Sequence, residues 1–264
     1  MKEQAHKRLN VGCGFDYRPG YVNVDMHQRH GPDVVADVLD LATFPSGFYE
    51  ELVAQDVLEH VARSDVRRAL FEWNRVLAVG GQIFVRTTEL GGLVRALEAP
   101  EHQGIYDQER LIQNVFGTQA YQGDFHLSGF TEPLFRFYMW EAGFEVSSIT
   151  LHQGVFLDAH ARKLNDLGFE LDRADTPAPA FVSQLFRAVL GREPNPEELR
   201  QETAALDGTS RRSLIMKLLL SDERKEIMAR RVPPFPRALH RPGLLRRVAR
   251  RAKRLVKAAV APLR

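Results

Sequence analysis

Leu9-Asn10-Val11-Gly12-Cys13-Gly14, followed eleven residues after its second glycine by Asp25 at the end of Tyr21-Val22-Asn23-Val24-Asp25, decides the fold of this chain. An apolar run enters a Gly-x-Gly turn, and a second short apolar run ends on a carboxylate. Glycine lets the backbone turn tightly and come close to a ligand. An acid at the tip of the next parallel strand is placed to hold two ribose hydroxyls. The pair reads as a site for a nucleoside-bearing cofactor, a signal that dinucleotide-binding proteins also carry.

Working outward, residues 8 to about 152 alternate short β-like runs with helical patterns, which argues for a parallel sheet flanked by helices. Strands are expected over 8–11, 22–25, 34–37, 51–55, 82–87 and 145–151. A helix is expected over 65–77, with Val66, Ala69, Leu70, Trp73, Val76 and Leu77 on one face and charges opposite. Ser64 is its expected cap, and Gly80-Gly81 its stop. A second amphipathic helix is expected over 131–142. Residues 89–130, broken by Gly91-Gly92, Pro100, Gly104, Gly117, Gly123 and Gly129, read as a long, loop-rich insertion on the ligand-binding side of the sheet.

The interval from Gly14 to Asp25 is too short for a full crossover helix, so a loop or single turn is expected there. No third glycine follows, since Phe15-Asp16-Tyr17 comes next, and this counts against a nicotinamide dinucleotide. Across 264 residues, 44% hydrophobic and 27% charged, the composition is that of a soluble globular protein with room for one α/β domain and something smaller. The single cysteine excludes a disulfide scaffold and suggests a reducing compartment. No secretory leader is evident, and no run approaches the roughly 18 apolar residues of a spanning helix. A cytoplasmic location is expected.

Asp175-Thr176-Pro177-Ala178-Pro179 reads as a linker, separating a domain over 1–174 from a small helical domain over 180–232. Helix starts are signalled there by Asn195-Pro196, Thr209/Ser210 and Ser221. The segment 233–264 is a basic tail. From Arg237 to Arg264 there are ten Lys or Arg and no acid, so a formal net charge of +2 leaves −8 on the rest of the chain. Leu244, Leu245, Val248, Ala252, Leu255, Val256 and Ala259 fall on one helical stripe of the tail. Such a helix suits an anionic membrane surface, and the protein would then sit peripherally at the inner face of the cell membrane. A solvated tail is the alternative, and the lack of interleaved aromatics argues against nucleic acid.

Further strand-end elements extend the opening pair. They are Ala36-Asp37-Val38-Leu39-Asp40-Leu41, Ala54-Gln55-Asp56-Val57-Leu58-Glu59-His60 and Arg75-Val76-Leu77-Ala78-Val79-Gly80-Gly81. In this ordered set the chain resembles the class I S-adenosylmethionine-dependent methyltransferases over roughly residues 8–150. It is most similar to a bacterial subgroup associated with surface-polysaccharide genes. The resemblance implies a Rossmann-like α/β sheet with flanking helices, followed here by a small all-α domain. It implies S-adenosylmethionine as cofactor, with the Gly12-Cys13-Gly14 turn against its amino-acid part. Asp25 would take the ribose hydroxyls and Asp37 with Val38 the adenine, Gln55 would lie beside the methionine moiety, and His60 is a further cofactor-binding candidate. Phe181 to Pro194, with Leu-Gly-Arg-x-Pro at its end, resembles a helical domain of unknown function appended to bacterial surface-related enzymes. That implies a protein-interaction module, or a packing aid to the first domain.

Methyl transfer from a sulfonium is an in-line displacement, so the enzyme must hold the acceptor about 3 Å from the methyl group. A hydroxyl acceptor must also lose its proton, usually to His or a carboxylate. His126, in Gly123-Asp124-Phe125-His126-Leu127-Ser128-Gly129, is the candidate base, and Asp124 the residue to orient it. The subgroup often carries a His after an element that here reads Phe116-Gly117-Thr118-Gln119. Tyr106, Tyr121 and Trp140 are candidates for an acceptor pocket or for the core. No metal is expected, with His27, His30 and His60 too scattered in sequence to form a ligand set. The expected reaction is O-methylation of a sugar or glycan. A non-catalytic, membrane-docked scaffold of the same fold and an RNA methyltransferase are the alternatives.

Overall fold

A computed structural model of the protein describes residues 6–121, 123–173 and 175–233. The described residues up to Val232 form one compact unit. The basic stripe of the tail lies outside the described residues.

Seven strands form one sheet in the order β3-β2-β1-β4-β5-β7-β6. β1 (Arg8–Val11), β2 (Val22–Asp25), β3 (Val34–Val35), β4 (Tyr49–Gln55) and β5 (Leu77–Thr88) pair in parallel. β6 (Phe144–His152) and β7 (Phe156–Lys163) are joined as an antiparallel hairpin, with β7 inserted against β5. The strand order reverses between β1 and β4. A crevice opens outside their carboxyl ends, where sheets of this kind bind ligands. This is a Rossmann-like mixed sheet with flanking helices. As its length requires, the link from β1 to β2 holds no helix. Asn10 and Asn23 build it instead: Asn10 Nδ2 donates to the Asp16 carbonyl at 2.7 Å, and the Arg18 amide donates to Asn23 Oδ1 at 2.8 Å.

Four expectations need correction. The strand β7 has no counterpart in the sequence reading. Its inward positions are Leu157, Ala159, Ala161 and Lys163, and alanine and lysine carry little β signal. Helix α1 (Val66–Val76) is not stopped by Gly80-Gly81, because the chain enters β5 directly at Leu77 and both glycines lie within that strand. Asp65, not Ser64, is its N-cap residue, with no side-chain capping bond. Residues 89–130 are not mainly loop: they contain α2 (Leu90–Glu98) and α3 (Ile105–Phe116). Gly91 and Gly92 sit in the first turn of α2, where a side chain on Gly92 would meet the Gly154 carbonyl at 2.0 Å.

α4 (Glu132–Glu141) precedes β6, and α5 (Ala178–Leu190), α6 (Pro196–Ala205), α7 (Arg211–Leu219) and α8 (Asp222–Arg230) follow the sheet. Their starts obey the sequence signals. Asn195 and Glu198 form a reciprocal capping box, while Ser210 and Ser221 accept from the amides of Ser213 and Arg224. α5 begins inside the segment expected as linker. Its Phe181, Val182, Leu185 and Phe186 belong to the same apolar core as Leu9, Val11, Leu52 and Phe135. The charges of α1 do not all face water either: Glu72 and Arg75 are buried.

Candidate active site

The glycine turn is fixed from both sides. Gly12 has φ +62°, and a Cβ there would lie 2.5 Å from Val57, so a larger residue is excluded by conformation and by space. Gly14 also has a positive φ but borders open space. Its amide donates to Asp25 Oδ2 at 2.9 Å, and the His27 amide donates to Oδ1 at 2.7 Å. His30 Nδ1 stands 3.0 Å from the same Oδ1. Two backbone donors thus orient a buried carboxylate while leaving lone pairs for further hydroxyls.

From this turn a cavity of about 350 Å³ runs past Asp25 to Asp37, Val38 and Leu39 on one side and to Asp56 and His60 on the other. Asp37 Oδ1 accepts from the Leu39 amide at 2.9 Å, shaping the bend that follows β3. Asp56 takes the turn out of β4 at φ +54°, and burial raises its carboxyl above the usual range. His60 ends the short 3-10 turn Leu58–His60 and holds its Nδ1 3.2 Å from the Phe125 carbonyl. Because a carbonyl only accepts, Nδ1 is the donor in this contact.

Six of the sequence-predicted residues, Gly12, Gly14, Asp25, Asp37, Val38 and His60, therefore line one cavity. Others stand apart from its wall. Cys13 is buried beneath the turn, and burial with the nearby Asp25 charge pushes its thiol up to about 11. Gln55 accepts from Arg18 Nη2 at 3.0 Å. His126 lies behind His60, edge to face with ring centroids 4.8 Å apart, its Nδ1 2.9 Å from the Asn114 carbonyl. Burial, then the neighbouring His60, lowers its pKa. Asp124 accepts from the Thr118 hydroxyl rather than from His126. Tyr121 lines the cavity, whereas Tyr106 is exposed on α3 and Trp140 packs near Phe137.

At the mouth the sequence reading named Tyr121 as an acceptor-pocket candidate but missed the two histidines beside it. His27 and His30, judged too scattered to act together, stand 5.5 Å apart between ring centroids and both line the cavity. Tyr121 reaches across from the insertion to within 6.1 Å of His27, and the Arg29 guanidinium lies 3.9 Å over the tyrosine ring. The only sequence signal was a pair of histidines three apart just after Asp25. Glu59, wholly buried behind the wall, accepts from the Thr87 hydroxyl at 2.9 Å, and its carbonyl receives the Leu127 and Ser128 amides. It anchors the returning end of the insertion.

The profile of a family described as "Methyltransferase domain" matches residues 3–85, the stretch that holds the six lining residues. A SAM-dependent methyltransferase from Methanosarcina mazei is similar at 18% identity, over 60% of this chain and 92% of that one, with a TM-score of 0.44. The Burkholderia thailandensis 1,6-didemethyltoxoflavin-N1-methyltransferase, solved with its substrate and S-adenosylhomocysteine, is similar at 15% identity, over 60% and 71%, with a TM-score of 0.40. No curated protein sequence matches the chain. The profile and the sheet define the class: a methyl-transferring enzyme whose cofactor is S-adenosylmethionine. The residues present fit that cofactor. A side-chain-free turn, an oriented carboxylate and a cavity of nucleoside size adjoin one another.

Proposed function

We propose that the protein methylates a hydroxyl of a sugar or glycan used in cell-surface polysaccharide assembly. The observation that carries this reading is a single cavity joining the glycine turn and Asp25 to a mouth of imidazoles and aromatic rings. Bound S-adenosylmethionine supplies an electrophilic sulfonium methyl group. Gly12 and Gly14 let the backbone approach it, and Asp25 meets the ribose diol with its free lone pairs. Asp37 and Val38 border the far end. The acceptor enters between His27, His30, Tyr121 and His60, where rings suit a sugar face and imidazoles suit its hydroxyls. His60 Nε2 takes the acceptor proton directly, and His126 backs its ring edge to face.

Calorimetry with S-adenosylhomocysteine should show binding to the wild type and at least a tenfold loss in Asp25→Ala. Tritiated cofactor with lipopolysaccharide precursors should label the glycan. Label on RNA and on no glycan would sink the acceptor assignment. With a labelled acceptor in hand, His60→Ala should lower kcat about 100-fold while leaving cofactor affinity within twofold. An unchanged kcat would remove His60 from the chemistry.

A further inference from the structure

The wall of the cavity at Asp37–Leu39 belongs to a long segment without strand or helix, running from the end of β3 at Val35 to the start of β4 at Tyr49. Such a segment needs an external scaffold to keep one conformation, because its backbone groups have no ladder to join. Here the scaffold is a cluster of buried charges. Glu72 Oε2 accepts from the Leu41 amide at 3.0 Å, and Arg75 donates to the carbonyls of Leu41 at 2.7 Å and Phe44 at 2.9 Å. Glu72 is fully buried between Arg75, at 3.0 Å, and Arg212, whose Nη2 donates to it at 2.7 Å. The same Nη2 donates to Asp40 Oδ1 at 2.7 Å. Arg212 lies in α7 and is the one member of this cluster from the C-terminal helices, among the described residues.

We propose that Arg212 is a positioning residue for the cofactor, through which the C-terminal helical segment holds the Asp37–Leu39 wall in its binding conformation. The inference rests on reading the cavity as the S-adenosylmethionine site. Arg212 joins two carboxylates with one planar guanidinium, a geometry that a lysine ammonium reproduces only in part. Without it, Asp40 keeps only the Ala42 amide, and Glu72 keeps Arg75 and the Leu41 amide, so the segment between them loses its tie to α7 and gains freedom next to the cavity. The Asp40 carboxyl is held below its usual range first by its hydrogen bond from Arg212, which agrees with a formed contact. The helical segment is thus part of the enzyme's binding apparatus and not only an appendage.

The test uses the full chain with Arg212→Ala, Arg212→Lys and Asp40→Asn. Arg192→Ala serves as control, since Arg192 bridges Glu198 and Glu223 within the helical segment, away from the cavity. Calorimetry with S-adenosylhomocysteine and 5′-methylthioadenosine should show about 5- to 20-fold weaker binding of both to Arg212→Ala. A smaller loss is expected in Asp40→Asn, partial recovery in Arg212→Lys, and no change in Arg192→Ala. Binding by Arg212→Ala within twofold of wild type overturns the proposal, as does an equal loss in Arg192→Ala. Hydrogen exchange provides a readout without ligand: the Leu41 amide should exchange at least tenfold faster in Arg212→Ala than in Arg192→Ala, and equal rates overturn the proposal. If the wild type binds neither nucleoside, the reading of the cavity fails, and the exchange rates still decide whether Arg212 holds the segment.

Discussion

Asp25 and Glu59 are both buried carboxyls, yet their surroundings give them opposite tasks. Asp25 receives two backbone amides with an imidazole beside it, an arrangement that fixes its carboxyl for a ligand. Glu59 is wholly desolvated, and burial pushes it up to about 8 despite hydrogen bonds from its own amide, the Thr87 hydroxyl and the Thr88 amide. The folded chain therefore holds a proton there that the unfolded chain releases above the ordinary glutamate range. The stabilisation this gives is complete at acid pH and is lost as pH rises towards about 8. Glu59→Gln keeps an acceptor for Thr87 and carries no titrating proton. Between pH 5.5 and 8.5 its melting temperature should gain several degrees relative to the wild type. A gap that does not move with pH would show that Glu59 titrates normally. The Gly-x-Gly turn, Asp25 and Asp37 were legible as residues because their chemistry is local. His27 and His30 were not, and Tyr121 was legible only as pocket or core, since nothing in their spacing says that two loops meet over one cavity.

Among the elements, the glycines of the insertion show why a local rule misleads. Gly91-Gly92 reads as a chain break, yet both residues open α2. Gly92 is required by the tight approach of the β6–β7 turn, not by a bend in its own backbone. Gly92→Ala should therefore destabilise the protein by about 1–3 kcal/mol, the usual cost of overpacking, in denaturant unfolding. A neutral substitution would mean that α2 shifts freely. Strand β7 escaped notice for a related reason. Its alternation of Leu157, Ala159 and Ala161 is correct for a strand, but small side chains carry a weak period. By contrast, Asn195, Ser210 and Ser221 announced their helices, because a cap is a bond within one turn.

At the scale of the whole molecule, the helices after residue 178 share a core with the sheet and bring Arg212 onto Asp40, next in the chain to the cavity-lining Leu39. The basic segment 237–264 adds a separate property. We propose that it docks the enzyme on anionic membrane, where the acceptor glycans would be assembled. Each Lys or Arg near such a surface contributes about 1 kcal/mol, so half of the ten would give useful affinity. The full chain should co-sediment with phosphatidylglycerol vesicles at low salt and be released at about 0.5 M salt, where screening shortens the reach of each charge. Removal of 237–264 should abolish the association. Equal binding to uncharged phosphatidylcholine vesicles would point away from this charge-based docking. Among the described residues no helix is long and apolar enough to cross a membrane.

The sequence by itself determined the class of sheet, the cofactor turn, the acid that follows it, and the starts of three of the C-terminal helices. Each is encoded within a few residues, by a glycine's conformation, a strand-end carboxylate or a capping bond. The tertiary structure alone decided what faces the cavity. It set His60 at the wall and His126 behind it, and joined His27, His30 and Tyr121 across the mouth. It buried the charges of α1 beside a guanidinium 140 residues further on. Such contacts depend on which surfaces the fold brings together, and no local spacing encodes them. At the short step from Gly14 to Asp25 both agree: too few residues for a helix, and a turn closed instead by Asn10 and Asn23.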